Sequence, residues 1–331
     1  MRIASRRPLA SSTPLGGLLA YGLFAGLLVA VATFVALRFA GNSGAPAAGR
    51  PSLTLADAFG LGGLRSMTPD GIADAPSPAT HDAIVAYYGS PRTPSMGILG
   101  QHAPDEAADL LAERAARFEA LSDGTPVLPA LHLVYAVAQP QAKSDGLYLQ
   151  YLDDRTVRQY IELARRRGFA LILDLQIGHS NALAEVQKIA PYLEEPDVFV
   201  ALDPEFALAG SVKPGDAIGS IDASDINAVQ WYLAALTAQR HLPKKMLIVH
   251  QFQAEMITGA AAIERHDDVD LVIDMDGYGP ADIKEAKYAR YGAAPYAAFG
   301  GIKVFLQHDP DPLTEAQLMQ LRPRPSLFVY Q

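Results

Sequence analysis

Short apolar runs of strand length alternate with amphipathic segments of helix length from about residue 82 to the C-terminus. Strands that alternate with helices pair in parallel, so the pattern predicts a parallel α/β fold. About eight such units over roughly 250 residues match the size of a (β/α)8 barrel of the TIM type. An open doubly wound sheet is the alternative, but no glycine-rich phosphate loop follows the first strand. The predicted strands are Ala83–Tyr88, Leu131–Ala138, Ala170–Ile177, Val198–Asp203, Met246–Phe252, Leu271–Met275, Ile302–Gln307 and Ser326–Tyr330.

The helices between these strands are predicted from apolar residues at helical spacing and from their end signals. Gly168 is a stop signal, and Ser180 and Ser224 are candidate N-caps. Thr314 with Gln317 fits a capping box that opens a short helix before residue 322. The other predicted helices are Glu106–Leu121, Thr156–Arg167, Ala182–Leu193, Ile226–Arg240, Ala254–Arg265 and Ala281–Tyr291.

The chain begins with a different pattern, an uncharged apolar stretch from Pro14 to Leu37. This is about the length that a helix needs to cross a bilayer. Arg2, Arg6 and Arg7 precede it and only Arg38 follows, so the positive-inside rule predicts a cytoplasmic N-terminus. A cleaved signal peptide is the competing interpretation, but its apolar core is usually shorter, roughly 7–15 residues. An uncleaved anchor is therefore favoured.

These patterns predict four segments along the chain. Residues 1–13 form a cytoplasmic basic tail, 14–38 a transmembrane anchor, 39–80 a linker with an irregular lead-in, and 81–331 the barrel domain. The lead-in contains glycines and prolines that break regular structure. Because no helix follows the last strand, we expect the lead-in to pack near the first and last strands. The predicted location is the cell membrane, with a single span and the barrel outside.

Charge and cysteine content narrow the possible partners. Residues 1–40 hold four arginines and no acid, which leaves 23 basic and 36 acidic residues in the remainder. This acidic balance argues against nucleic acid as a partner. The chain has no cysteine, which excludes disulfides and a lipidated N-terminus. The membrane is expected to be contacted through the N-terminal helix.

Acidic residues stand at the carboxyl ends of three predicted strands, where barrel proteins place functional groups. Residues two apart on a strand share a face. Asp203 and Glu205 therefore share one face, as do Asp274 and Asp276, and Asp174 lies on the corresponding face of its strand. The opposite faces carry bulky aliphatic residues that suit the layer under the helices. The acids are thus predicted to point into the barrel mouth.

Five carboxylates at close range cannot all be ionised without compensation. A raised pKa on one of them gives a general acid, as in glycoside hydrolysis, where a second carboxylate acts as base or nucleophile. Glu205, with its longer side chain, is the candidate acid, and Asp203 holds or orients its proton. Asp274 or Asp276 is the candidate base, nucleophile or substrate-orienting acid. Asp174 supports the network.

A bound metal is the alternative form of compensation. Mg²⁺, Ca²⁺ or Mn²⁺ would be held by Asp174, Asp203, Glu205, Asp274 and His250. The closely spaced histidine pairs of a hydrolytic zinc site, His-x-His or His-Glu-x-x-His, are missing from the sequence. The favoured hypothesis includes neither a metal nor a cofactor. Lys303 is expected to form an ion pair in the barrel floor, with a Schiff-base role as the alternative.

Aromatic and polar residues at the same strand ends suit a sugar. Tyrosine rings offer flat apolar faces beside polar tips, and amides and imidazoles can bind hydroxyl groups. A carbohydrate is therefore the predicted substrate. The candidate substrate-binding residues are Tyr87, Tyr88, Tyr135, Gln176, His250, Gln251, Tyr278, Gln307, His308 and Tyr330.

The segment Leu202–Glu205 (Leu-Asp-Pro-Glu) resembles the Asp-x-Glu ending of strand four in chitinase-type and lysozyme-type barrel glycosidases. The resemblance implies that Glu205 is the proton donor, assisted by Asp203 and by either Asp274 or Asp276. The chain departs from chitinases at Val198 and Ala201, where those enzymes carry further acids.

The function predicted from the sequence is that of a membrane-anchored, extracytoplasmic glycoside hydrolase that acts on a cell-envelope or extracellular glycan. A metal-dependent barrel hydrolase or lyase that uses the same acids is one alternative. A non-catalytic, glycan-binding cell-envelope protein is the other.

Overall fold

A computed structural model describes residues 83–122 and 125–331, and their strands form a closed barrel. The strands are β1 (Ala83–Gly89), β2 (Val127–Ala138), β3 (Leu149–Tyr151), β4 (Ala170–Gly178), β5 (Val198–Ala207), β6 (Ile221–Asp222), β7 (Lys245–His250), β8 (Ile257–Thr258), β9 (Val269–Met275), β10 (Phe299–Val304) and β11 (Leu327–Tyr330). Parallel neighbours follow the order β1-β11-β10-β9-β7-β5-β4-β2, and β2 pairs in parallel with β1 to close the ring. The predicted (β/α)8 architecture is confirmed, with strand ends that differ from the prediction by a few residues.

Helices cover the outside of the barrel. They are α1 (Ile98–Gln101), α2 (Pro104–Glu119), α3 (Asp154–Arg167), α4 (Ala182–Lys188), α5 (Ala190–Leu193), α6 (Ala223–Arg240), α7 (Ala281–Lys287) and α8 (Glu315–Gln320). A π-helical turn, Tyr288–Gly292, extends α7. The minor strands lie outside the ring: β3 pairs antiparallel with the end of β2, and β6 pairs with β8.

The predicted helix Ala254–Arg265 is wrong. This segment contains two 3₁₀ turns, Ala254–Met256 and Ala260–Ala262, with β8 between them. Gly259 has a φ of 62°, a left-handed conformation that interrupts a right-handed helix. The pairing of β8 with β6 supplies backbone hydrogen bonds in place of helical ones.

Two of the three predicted helix caps lie one or two residues away from their predicted positions. Asn181, not Ser180, accepts the N–H of residue 184 at the start of α4. Asp222, not Ser224, caps α6 and forms a capping box with the third helical residue. A carboxylate or amide oxygen caps at least as well as a hydroxyl, so the neighbouring residue prevails in each case. The Thr314 capping box of α8 is confirmed.

Strand residues alternate between the helix layer and the barrel interior. The outward aliphatics, such as Leu173 of β4 and Ile273 of β9, pack in the larger apolar core beneath the helices. The inward residues of the lower barrel, such as Ile172 and Ile248, form a second apolar cluster inside the ring. At the carboxyl ends of β4, β5, β7 and β9 the inward positions become polar. The predicted facing of the strand acids is therefore confirmed.

The predicted tail, anchor, linker and lead-in lie within residues 1–82, outside the described residues. The proposed packing of the lead-in near the first and last strands is therefore still a prediction. None of the helices in the described ranges, 83–122 and 125–331, has the length and apolar character of a membrane span.

Candidate active site

His250 occupies the centre of a buried polar layer inside the barrel. It is the last residue of β7, and its Nε2 lies 3.0 Å from Oδ2 of Asp174 on β4. Its Nδ1 lies 3.1 Å from Oδ2 of Asp274 and 3.5 Å from Oδ2 of Asp276, both at the end of β9. Burial alone would lower the pKa of His250, but the charge and hydrogen bond of Asp174, together with Asp274 and Asp276, raise it well above its usual value.

His132 of β2 completes this layer. Its ring is fully buried and stacks on His250, with ring centroids 5.5 Å apart and planes at 22°. Its Nε2 lies 3.2 Å from Oδ2 of Asp174. Burial lowers the pKa of His132. Burial also opposes ionisation of Asp174, yet the charge of His250 and its contacts with both imidazoles lower the pKa of this carboxyl below its usual range.

Sequence reasoning missed His132. The signal was present, because a single imidazole stands in the otherwise apolar strand β2, two residues from Ala130 and Val134 of the interior cluster. The predicted strand began four residues late, at Leu131, so the facing of residue 132 was not read from the pattern.

Gly301 of β10 makes room for Asp274. A Cβ atom at position 301 would lie 2.8 Å from Oδ1 of Asp274, closer than side-chain carbons come to other atoms in proteins. The carboxylate of Asp274 therefore occupies space that a side chain from the neighbouring strand would otherwise fill. Because position 301 has no side chain, the carboxylate of Asp274 has room in the orientation that contacts His250.

A cavity of about 570 Å³ opens above this layer at the carboxyl end of the barrel. Three of the predicted catalytic acids line it, while Asp174 and Asp274 lie one step deeper in their strands. The predicted residues that line the cavity are Tyr88, Gln176, Asp203, Glu205, Asp276, Tyr278 and His308. Other lining residues, which the sequence did not single out for this role, are Met96, Phe206, Phe252, Gln253, Gly277, Lys287, Lys303, Phe305 and Gln331.

The three cavity acids share a tendency to hold a proton. Burial raises the pKa of Glu205, the charge of Asp276 raises it further, and Lys303 and His250 oppose the shift. Burial also raises the pKa of Asp276, against the opposing charges of His250 and Lys303. The pKa of Asp203 lies well above its usual value because of burial and of the charges of Asp174, Asp276 and Glu205. Burial therefore works against ionisation at the three cavity acids, whereas the charge of His250 and the two imidazole contacts favour ionisation at Asp174 beneath them.

Lys303 reaches the cavity from β10. Its Nζ lies 3.5 Å from the centroid of the Tyr88 ring, a cation–π contact that replaces the predicted floor ion pair. Burial and the charges of Asp174, Asp203 and Asp276 raise the pKa of Tyr88 well above its usual value. Tyr88 therefore stays neutral and offers its ring to the lysine.

Hydrogen bonds from the backbone fix two of the lining side chains. The N–H of Glu205 donates to Oδ1 of Asp203 at 3.1 Å. The N–H of Ala138 donates to Oε1 of Gln176 at 2.7 Å, which ties the end of β4 to the end of β2. Both contacts hold polar groups in place before any ligand arrives.

A buried ion pair fastens the loops that follow β9 and β10. Nζ of Lys284 lies 3.1 Å from Oδ2 of Asp309 and donates to the carbonyls of Gly277 and Lys303 at 2.9 and 2.6 Å. Asp309 also accepts the N–H groups of Gly279 and Phe305, both at 2.9 Å. The ion pair therefore joins the loop after β9, which carries Tyr278, to the loop after β10, which carries His308, beneath the rim of the cavity.

Three predicted sugar-binding tyrosines point away from the cavity. Tyr87 packs under α2, where its hydroxyl donates to the carbonyl of Leu110 at 3.2 Å. Tyr330 packs edge-on against Tyr87, with centroids 6.4 Å apart. Tyr135 belongs to the same outer core. Each occupies the outward-facing position of its strand, so the predicted placement of these tyrosines in the mouth is wrong.

Three further predicted residues lie at the margins. His250 sits in the layer beneath the cavity and does not line it. Gln251, the next residue, turns away and accepts from the hydroxyl of Tyr296 at 3.4 Å. Gln307 is exposed in the turn after β10, away from the cavity lining. None of these three residues lines the cavity, so the prediction that they contact substrate there is wrong.

No protein-family model matches this chain, and no curated protein sequence matches it either. Among solved structures it is similar to a hyperthermophilic endo-β-1,4-glucanase in complex with substrate, at 10% identity and a TM-score of 0.37, over 76% of this chain and 89% of that one. It is also similar to Cel5A of Thermotoga maritima in complex with cellobiose, at 12% identity and a TM-score of 0.38, over 76% and 90% of the two chains. The closed ring of eight parallel strands itself shows the barrel fold.

Proposed function

We propose that this barrel is a glycoside hydrolase that acts on a cell-envelope or extracellular glycan. The observation that carries the proposal is that Glu205 and Asp276 line one cavity, each with a pKa raised above its usual value. A carboxyl that keeps its proton nearer neutral pH can protonate the leaving oxygen of a glycosidic bond. A second carboxyl on the same cavity can then serve the reaction from its ionised form.

In the proposed reaction Glu205 is the general acid. Its proton passes to the glycosidic oxygen as the bond to the sugar carbon breaks, and Asp276 acts on that carbon as nucleophile or, through a water molecule, as base. Asp203 is a positioning residue, because its Oδ1 holds the backbone N–H of Glu205. The layer of His250, Asp174 and Asp274 supports these acids from below.

The remaining lining suits a carbohydrate. Tyr278 is 69% exposed at the rim, with its ring edge-on to Phe305 at 6.2 Å. Phe206 and Phe252 add further aromatic faces, and Gln176 and Gln253 add amides. Flat apolar faces beside polar groups match the two sides of a sugar ring.

Glu205→Gln tests the reaction directly. The full chain is assayed for release of reducing ends from β-glucan, chitin and peptidoglycan, and binding to the cleaved glycan is measured separately. Loss of the proton donor lowers kcat about 10²–10⁴-fold, while affinity is retained because glutamine keeps the shape of the side chain. Glu113→Gln, an exposed change on α2, is the control and leaves both values unchanged.

Two outcomes would contradict the proposal. Unchanged turnover in Glu205→Gln would remove this residue from the role of acid. Binding of a glycan without any cleavage by the unmodified chain would instead identify a non-catalytic glycan-binding protein.

We also propose that residues 14–38 hold the barrel outside the cell membrane. The support is the uncharged run from Pro14 to Leu37 within this stretch and the arginines that precede it. Protease added to intact cells then digests the barrel, and the chain resists extraction from membranes by carbonate. Recovery of the full chain in the cytosolic fraction would sink the proposal.

A further inference from the structure

We propose that His132, Asp174 and His250 form a binding site for one zinc-class divalent transition-metal ion in the polar layer beneath the cavity. The three residues come from β2, β4 and β7 and all face the barrel interior. The inference is independent of the proposed function, because it concerns buried donor atoms and not the lining of the cavity.

The donor atoms of the three residues lie close enough together to approach one metal ion. Oδ2 of Asp174 lies 3.2 Å from Nε2 of His132 and 3.0 Å from Nε2 of His250. One donor atom from each of the three residues fits within a span of 4.8 Å. Ligands about 2.0–2.1 Å from a tetrahedral zinc ion are roughly 3.3 Å apart. The two separations from Oδ2 of Asp174 lie within a few tenths of an ångström of this value, and the two imidazole donors lie within 4.8 Å of each other.

His132 supplies the second, independent observation. Its side chain is fully buried, yet neither Nδ1 nor Nε2 has a hydrogen-bond partner among the described residues. A buried polar group without a partner is costly. The contact of Nε2 with Asp174 is close but not aligned as a hydrogen bond. Two ligands of one ion are likewise close together without being aligned for a hydrogen bond, because the lone pair of each ligand is directed at the ion and not at the other ligand.

Asp274 gives His250 the orientation of a metal ligand. Its Oδ2 lies 3.1 Å from Nδ1 of His250 and accepts a hydrogen bond from the N–H at that nitrogen. This contact leaves Nε2 facing Asp174 and His132. Metal-bound histidines almost always donate their other ring N–H to a carboxylate or carbonyl in this way. Binding of the ion releases the Nε2 proton of His250 to solvent.

The donor set selects the class of ion. Two imidazoles and one carboxylate suit Zn²⁺ and neighbouring transition metals, whereas Mg²⁺ and Ca²⁺ prefer sites made of oxygen atoms. Three protein ligands also leave one coordination position for a fourth group. Asp276 lies just above, with its Oδ2 3.5 Å from Nδ1 of His250, so the ion would be a fixed positive charge below the cavity acids.

The test uses the full chain, purified in a mild detergent and stripped with a chelator. Calorimetric titration with Zn²⁺ and elemental analysis are expected to give one bound ion per chain, with no binding of Mg²⁺ or Ca²⁺ at the same concentrations. His132→Ala lowers the zinc affinity by about 100-fold or more, and Asp274→Asn lowers it by about 10–100-fold. His179→Ala, whose ring contacts the carbonyl of Val212 outside the layer, is the control and leaves the affinity unchanged.

Circular dichroism and thermal unfolding check that each variant is folded. If His132→Ala does not fold, Co²⁺ is bound to the unmodified chain, where visible absorption and X-ray absorption are expected to show a four-coordinate site with two imidazoles. The proposal is overturned if the unmodified chain takes up no zinc, if the bound ion lacks imidazole ligands, or if folded His132→Ala binds zinc as tightly as the unmodified chain.

Discussion

The backbone N–H of Glu205 donates to Oδ1 of Asp203 at 3.1 Å, so the position of one cavity acid depends on the carboxyl of the other. The two residues are adjacent inward positions of β5. Because the pKa of Asp203 is raised well above its usual value by burial and nearby carboxylates, this residue is suited to work as a neutral acceptor. Its contribution is then geometric and does not depend on a negative charge.

Two substitutions at position 203 separate geometry from charge. Asp203→Asn keeps an oxygen that accepts the Glu205 N–H and resembles the protonated acid, so turnover falls by about tenfold or less. Asp203→Ala removes the acceptor, and turnover falls about 10²-fold because a small misplacement of a reacting group is costly. Steady-state kinetics on the two variants check the order. Equal losses in both would show that the charge, and not the acceptor, is what matters.

Lys303 is predicted to set the pH range of activity. Its charge lowers the pKa of both Glu205 and Asp276, so Lys303→Met raises both. A general acid is lost as pH rises through its pKa, and a base or nucleophile is lost as pH falls through its own. Both limbs of the kcat/KM profile therefore move to higher pH, by about one unit.

Lys287→Met is the matched control for this shift. Lys287 lines the same cavity, with its Nζ 5.9 Å from the Phe252 ring centroid. We expect this change to alter KM without moving either limb. A shift of equal size in both variants would mean that the general field of the cavity, and not the position of Lys303, controls the two acids.

The Lys284–Asp309 pair is predicted to hold the rim loops together. Lys284→Met leaves Asp309 charged and buried, and the free energy of unfolding falls by about 3–5 kcal/mol. Adding Asp309→Asn recovers part of this loss, since asparagine keeps one accepting oxygen for the two backbone N–H groups. Urea unfolding of the single and double variants measures both effects. A loss below about 0.5 kcal/mol in Lys284→Met, as for a surface change, would contradict the prediction.

Lys245 is predicted to make stability depend on pH. Burial lowers its pKa to about 7, and its Nζ donates to the carbonyls of Glu195 and Val198 at 2.6 and 3.0 Å. In the unfolded chain a lysine has a pKa of about 10.4, so between these two values the unfolded state binds more protons. The unmodified chain therefore gains stability relative to Lys245→Met as pH rises from 7 towards 10, by up to about 1.4 kcal/mol per pH unit.

Lys244→Met provides the control, because this neighbouring lysine is exposed. Unfolding free energies measured from pH 6 to 10 are expected to run parallel for Lys244→Met and the unmodified chain. The unfolding free energy of the unmodified chain minus that of Lys245→Met is expected to rise with pH above 7 and to be constant below pH 7. A difference that is constant over the whole range would mean that Lys245 keeps its ordinary pKa.

Strand facing was readable from the sequence wherever bulky aliphatics alternated with acids. In β4, Leu173 and Leu175 mark the outward face, so Asp174 and Gln176 had to point inward. The same reasoning failed for tyrosines, because Tyr87 and Tyr88 are adjacent and both are apolar enough for either face. Alternation allows only one of them to enter the barrel, and local composition does not say which.

The buried contacts of the polar layer were beyond the reach of the pattern. That His250 meets Asp174 and Asp274 depends on how far each strand is staggered against its neighbours, which closure of the whole ring decides. The failed helix after β7 has a similar cause. Its alanines favour a helix locally, but pairing between β6 and β8 and the left-handed Gly259 override that preference.

The close approach of Gly301 to Asp274 limits how this sequence can change over time. A side chain added at position 301 collides with the carboxylate, and a small apolar residue at position 274 leaves a void beside bare backbone while His250 loses one of its carboxylate partners. Neither replacement is tolerated unless the other accompanies it. Among diverged copies of this barrel, the residues at 274 and 301 should therefore change together or stay as they are.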